Sequence, residues 1–245
     1  MMIIYGRQPI MEALRSEHDV QRIYMAAGAS GRTMHSILKL AERQHVAVER
    51  LQKDKIQSLV GAVVHQSIAA EVSMQKFKSQ NHLAYLTALA HCKILILDQI
   101  QDPHNLGAIL RTADIAGIDG IILPDKGTAK LNATVAKTSA GALFHCPVYH
   151  VDNLLTVMDQ LKAQDVILTA ATSGATRSLY DMDFSGKTAL IIGAEGKGVR
   201  KNIAAQCHER IYIPQYGKIQ SLNASVAAAV IMYEMVRQTR HLTSP

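Results

Sequence analysis

Arg111, Glu195, Ser221 and Asn223 are the side chains of this 245-residue chain whose type and setting could do chemistry. In DPHNLGAILRTAD, residues 102–114, Leu106, Ile109, Leu110 and Ala113 fall at helical spacing. Asn105 suits the N-cap, one residue before that stripe. Gly107 then stands in the first turn, where it costs about 1 kcal/mol relative to alanine. Arg111 lies one turn further on, and a helical side chain leans back over the residues three and four positions before it. Here those are Ala108 and Gly107, both small. The guanidinium is thereby aimed at a helix end that already carries partial positive charge. A phosphate or carboxylate placed there would satisfy both the guanidinium and the free N–H groups. The plainer alternative is a surface arginine on a helix with an incidental glycine.

Glu195 sits in ALIIGAEGKGVRKNI, residues 189–203. A buried strand runs into a glycine-rich turn, followed by a helix from near Val199. Gly193, Gly196 and Gly198 let backbone approach a ligand closely. Their spacing is neither the dinucleotide fingerprint nor the phosphate loop. A carboxylate in the middle of the turn repels pyrophosphate and suits a ligand bearing hydroxyls or positive charge. Ser221 and Asn223 belong to IYIPQYGKIQSLNASVAAAVIMYEM, residues 211–235. There a strand ends at Pro214, a loop holds Gly217 and Lys218, and either Ser221 or Asn223 can cap a long helix. Ala224, Ser225, Ala227, Ala228 and Ala229 let another backbone pack close to that helix.

These stretches need a frame to hold them. KILILD, GIILP, VILTAA, ALIIGA and RIYIP are short, nearly continuous apolar runs separated by helical patterns at 106–116, 132–141, 153–163 and 223–238. That alternation predicts an α/β fold with a parallel sheet covered on both faces. The first 72 residues alternate differently. GRQPIMEALRS and TMHSILKLAERQHV read as helices, the latter with Ile37, Leu38, Leu40 and Ala41 on its apolar face. VQRIYMA, VAVERL and SIAAEV read as strands. A polar stretch from Ser73 reads as a linker whose second half forms a short helix. The predicted organisation is a small domain over 1–72, a linker over 73–90 and a larger domain over 91–245.

Composition narrows the function classes. Aromatic residues make up 4% of the chain and tryptophan is absent, which argues against single-strand binding dominated by base stacking. The net charge is +6, permitting an anionic partner without demanding one. Residues 1–78 hold 11 basic and 7 acidic side chains, so the smaller segment is the more basic per residue. That suits an accessory domain gripping RNA, and equally an ordinary solvated surface. Cys92, Cys146 and Cys207 are far apart and odd in number, so neither a zinc site nor a disulfide framework is expected. No metal site, leader or membrane-spanning run is predicted, and the expected location is the cytoplasm.

Taken together and in this order, DPHNLGAILRTAD, GAEGKGV and IPQYGKIQSLNASVAAAV resemble the three motifs of the SpoU/TrmH family of RNA ribose 2′-O-methyltransferases, within the SPOUT superfamily. YGRQPIMEAL, GAVVHQSIAA and AKLNATVAKTSAGAL are similar to the branch that methylates guanosine in 23S rRNA. Ser67 departs from that branch, which often has glycine after the glutamine. The resemblance implies an L30e-like RNA-binding domain at the N-terminus and a C-terminal SPOUT domain whose parallel sheet carries a deep trefoil knot. It implies a homodimer, S-adenosylmethionine as methyl donor and RNA, most often 23S rRNA, as partner. Arg111 falls on the family's catalytic arginine, Asn105 on its companion, Glu195 on the second-motif acid, and Ser221 and Asn223 on the polar pair of the third. The cofactor site is implied at Gly193, Ile213 and Leu222, with Ala194, Gly196 and Pro214 nearby. His65 and His104 lie in family-like stretches where either could touch RNA. A tRNA ribose methyltransferase is the rival within the family, and a non-catalytic RNA-binding module the rival outside it. A nicotinamide-dependent oxidoreductase would share the α/β pattern, but the chain lacks its fingerprint.

Overall fold

The computed structural model describes residues 1–16, 18–73, 78–79, 83–219 and 221–239. The chain packs into two compact units, residues 1–76 together with 130–145, and residues 77–129 together with 146–245.

In chain order the first unit contains β1 (Met2–Tyr5), α1 (Arg7–Arg15), β2 (Val20–Ala26), α2 (Arg32–Arg43), β3 (Ala47–Leu51), α3 (Lys53–Val60) and β4 (Ile68–Val72). The sheet order is β1-β4-β2-β3, with β4 antiparallel to both neighbours and β2 parallel to β3. β4 is central because Ile68, Ala69 and Ala70 are buried on both of its faces. β3 carries Glu49 and Arg50 exposed, as an edge strand should. α2 buries Met34, Ile37 and Ala41, the i, i+3, i+7 stripe of a helix lying on a sheet. Gln66 and Ser67 turn into β4 with φ of +55° and +66°. The family branch's glycine after the glutamine would hold that left-handed backbone without the cost a side chain incurs. His65, expected within reach of RNA, is instead buried, and its Nδ1 accepts the Ser67 N–H at 3.2 Å. Burial holds its imidazole below the ordinary histidine range.

The chain continues through β5 (Lys78–Ser79), α4 (Ala84–Thr87), β6 (Lys93–Asp98), α5 (Pro103–Ile115) and β7 (Gly120–Pro124). It then forms α6 (Ala133–Thr138), β8 (Val148–Val151), α7 (Leu154–Lys162), β9 (Ile167–Ala171) and β10 (Arg177–Ser178), and closes with β11 (Thr188–Gly193), α8 (Lys201–Ala204), β12 (Glu209–Tyr212) and α9 (Ala224–Thr239). Of the predicted linker, residues 74–77 and 80–82 lie outside the described residues. β5 and α4 occupy part of the remainder.

The second unit is built on an eight-stranded sheet, β10-β12-β9-β11-β6-β7-β8-β5, parallel throughout. Ile94, Leu95, Ile96 and Leu97 of β6 are all fully buried, which requires cover on both faces and explains the unbroken apolar run. β11, a late strand, lies between β9 and β6. α5 and α9 pack against each other within this unit. α6, which the sequence places in the larger domain, packs with the first unit.

Candidate functional site

The C-terminal ends of β6 and β11 lie side by side, with Gly193 opposite Asp98 in the register. Loops leaving parallel strands at that edge are where open α/β sheets bind ligands. The chain after β11 folds back on itself at once. The Gly198 N–H donates to the Ala194 carbonyl at 2.8 Å, closing a tight loop. A β-carbon on Gly193 would lie 2.0 Å from the Gly198 carbonyl carbon, so only glycine permits the crossing.

This loop forms one wall of a cavity of about 340 Å³, within the range of small-molecule sites. Gly193, Ala194, Glu195 and Gly196 line it, as do Ile213, Ser221 and Leu222. Pro214 does not, although Ile213 and Gln215 on either side of it do. Thr172 and Ser173, whose hydroxyl-bearing side chains also line the cavity after β9, carried no sequence signal. Among the lining residues Glu195 carries the single charge, and none is Lys, Arg or His. Such a cavity disfavours a polyanion. Apolar walls at Ile192, Ile213 and Leu222 suit an aromatic base, and the lone carboxylate suits a cationic group.

Glu195 is held by two amides. Asn105 Nδ2 donates to its Oε2 at 3.2 Å and Asn223 Nδ2 to the same oxygen at 3.4 Å. Asn223 Nδ2 also donates to Asn105 Oδ1 at 2.9 Å. The three motifs therefore meet in one polar cluster. Asn223 caps α9 as well, since its Oδ1 accepts the Ser225 N–H at 2.9 Å and its carbonyl accepts the Ala227 N–H. Asn105 is not the cap of α5. The helix starts earlier, with Asp102 accepting the His104 N–H at 2.9 Å and Pro103 in the first helical position. An acidic cap followed by proline fixes the start, and so frees the Asn105 amide for Glu195.

Arg111 is exposed on α5 and has no hydrogen bond or ion pair among the described residues. Gly107, one turn before it, is buried. Neither residue lines the cavity. His104 is exposed beside Asn105.

Asp98 and Arg200 escaped the sequence reading. Asp98 is completely buried at the end of β6. It accepts Arg200 Nε at 2.7 Å through Oδ1 and the Arg200 backbone N–H at 2.9 Å through Oδ2. The salt bridge fastens the far end of the glycine loop to the neighbouring strand. The available signal was a carboxylate closing an apolar strand, where an unpaired charge would be prohibitive.

Burial makes the three cysteines poor nucleophiles at neutral pH. Burial pushes the Cys92 and Cys207 thiols up to about 11 and the Cys146 thiol up to about 12. Among the described residues no group of three or more His, Cys, Asp or Glu side chains converges on a metal position. No helix among them is long and apolar enough to cross a membrane.

Replacing Asn223 by alanine removes the cap of α9 and both amide contacts together. A stability loss of about 1 kcal/mol is expected in urea denaturation. Activity should fall as well, and Asn223→Asp should keep the cap and recover that stability yet lose as much activity as the alanine variant, because it brings a carboxylate against Glu195 in place of a donor.

Residues 93–233 match the model of the SpoU rRNA methylase family, and residues 3–78 that of an RNA 2′-O ribose methyltransferase substrate-binding domain. A Staphylococcus haemolyticus protein named for the TrmH family of tRNA/rRNA methyltransferases is 36% identical over 247 residues, spanning 98% of this chain and 96% of its own. The SpoU methyltransferase AviRb of Streptomyces viridochromogenes, solved with AdoMet, superposes with a TM-score of 0.82 at 24% identity, covering 98% of this chain and 90% of that one. The A. aeolicus TrmH/SpoU tRNA-modifying enzyme superposes with a TM-score of 0.56 at 28% identity, covering 66% of this chain and 85% of that one.

Proposed function

The chain belongs to the SpoU rRNA methylase family, and from that premise we propose that it methylates the ribose 2′-hydroxyl of a guanosine in 23S rRNA. At the coarser level it is an S-adenosylmethionine-dependent RNA 2′-O-methyltransferase. The observation that carries the reading is the cavity with one carboxylate and no cation among its described lining residues, adjoining the cluster of Asn105, Glu195 and Asn223. S-adenosylmethionine supplies an electrophilic methyl on a sulfonium, which leaves as a neutral thioether.

The cavity residues fit that donor. Gly193, Ala194, Gly196, Ile213 and Leu222 would hold it, largely through backbone groups and apolar contact, with Pro214 nearby between two lining residues. The protein's remaining tasks are to hold the hydroxyl in line, about 3 Å from the methyl, and to manage its proton. Arg111 would grip the adjacent RNA phosphate. Arginine stays protonated at ordinary pH, so its role is positioning and electrostatic. The proton goes to Glu195, phosphate or water, with Ser221 and Asn223 orienting the groups around it.

Residues 1–72 would supply the RNA-binding domain and 91–245 the methyltransferase domain. The late insertion of β11 between β9 and β6 supports a knotted chain. Leu222, Val226 and Tyr233, 41%, 47% and 51% exposed at helical spacing on and before α9, support a homodimer buried along that face.

Incubation with labelled S-adenosylmethionine and bulk RNA lacking ribose methylation tests the reading. Alkali-resistant label at a guanosine of large-subunit rRNA is the expected result. Label confined to tRNA would keep the chemistry and overturn the substrate. A protein that binds the cofactor but labels no RNA would overturn both.

A further inference from the structure

α1 and α2 each begin at a glycine in the left-handed region, Gly6 with φ +95° and Gly31 with φ +113°. Neither start has a side-chain cap or an acidic residue in its first turn. No acidic side chain in either first turn therefore answers the partial positive charge of these helix ends.

Arg7 spans the two starts. Its backbone N–H donates to Gln66 Oε1 at 2.9 Å. Its Nη1 lies 3.5 Å from where a β-carbon on Gly31 would sit. Lys137 arrives from α6, and its Nζ donates to the same Gln66 oxygen at 3.1 Å. That ammonium is 2.6 Å from the position of a β-carbon on Gly6, so any side chain there would collide with it.

One ammonium and the first N–H of α1 thus share one neutral amide oxygen, while the Arg7 guanidinium lies beside the start of α2. Among the described residues no carboxylate pairs with Arg7 or Lys137, and Glu12 on α1 is engaged with Arg15 and His145. Arg7 Nε is buried without a hydrogen-bond partner, a condition folded proteins seldom leave without a reason. Burial also weakens the hold of Lys137 on its proton. Unpaired, partly dehydrated charges of one sign oppose folding, and a bound anion would reverse that.

We propose that Arg7, Lys137 and the start of α1 form a phosphate-binding site, whose occupant is a backbone phosphate of the RNA substrate. The choice of RNA rests on the methyltransferase reading above. A phosphate offers the guanidinium fork the oxygen it lacks, and the ammonium and the helix start a charged acceptor beside their one neutral amide oxygen.

The test compares the full-length protein with Lys137→Gln, Arg7→Gln and Arg7→Lys, by fluorescence anisotropy on unmodified ribosomal RNA across a salt series. Lys137→Gln and Arg7→Gln should each weaken binding about tenfold at low salt. Each should also lower the slope of log K against log salt by about 0.7–0.9, the signature of one lost phosphate contact. Arg7→Lys should retain most of the affinity. Affinity for S-adenosylmethionine should not change, and thermal stability should hold or rise because an unpaired charge has gone. Equal RNA affinity and equal slope in folded variants would overturn the site. So would a loss of stability in step with RNA binding, which would make Lys137 a structural strut. Inorganic phosphate that stabilises the wild type but not Lys137→Gln, with RNA binding equal in both, would overturn the RNA assignment in favour of a small anion. Because the readout is binding, a protein that fails to methylate RNA yet shows the slope change would sink the reaction and uphold the site.

Discussion

Replacing Arg111 by alanine is expected to lower methyl transfer by at least about a hundredfold, the scale of a misplaced reactant, while affinity for S-adenosylmethionine stays nearly intact. The side chain is exposed, lies outside the cavity and has no partner among the described residues. It therefore has no task in the fold, and exposed substitutions of this kind usually shift stability by no more than about 0.5 kcal/mol. Any large loss must come from what the guanidinium does to RNA. Single-turnover rates at saturating RNA, beside calorimetric titration of the cofactor, separate the two effects. A fall in cofactor affinity matching the fall in rate would remove Arg111 from the role assigned here. Arg111→Lys should recover little, because a point charge does not reproduce bidentate recognition of phosphate.

Replacing Arg200 by alanine should damage the molecule at another level. Asp98 would be left fully buried with only the backbone N–H of residue 200 as donor. Removing one partner of a buried pair costs about 3–5 kcal/mol. The Arg200 side chain is 39% exposed, so the low end applies, about 3 kcal/mol in urea denaturation. The same change frees the far end of the loop that begins at Gly193, and cofactor affinity should drop more than tenfold. A destabilised variant with normal cofactor affinity would show that the ion pair supports the fold alone.

Sequence legibility followed the physical clarity of the signal. β6, β7 and β11 were readable because strands buried on both faces are apolar without interruption, and β9 and β12 by their shorter apolar stretches between helical patterns. β1 was missed because its apolar run, Met2–Tyr5, spans four residues and has no strand-like alternation to mark it. α3 was missed because it buries Ile56 alone, leaving no stripe to detect. The resemblance named Asn105, Glu195 and Asn223, but only the structure joins them through shared amides. Asn105 was misread as a cap because the apolar stripe of α5 starts after the helix does. Asp98 and Arg200 stand 102 residues apart, and no local pattern links such a pair. The packing of α6 with the first unit was equally hidden, since its buried residues, Val135 and Ala136, fit a core in either unit.

The contact between Asp98 and Arg200 also has a meaning in time. It closes only after β6 and β11, distant in the chain, have found each other, and late non-local closure slows folding. The cavity wall is complete only once that closure is made. A ligand that needs a finished wall can grip nothing on the way in, so it leaves the refolding rate untouched. Its stabilisation is spent on slowing escape from the native state, as for any interaction absent from the folding transition state. In kinetic terms the site works as a latch on the completed molecule.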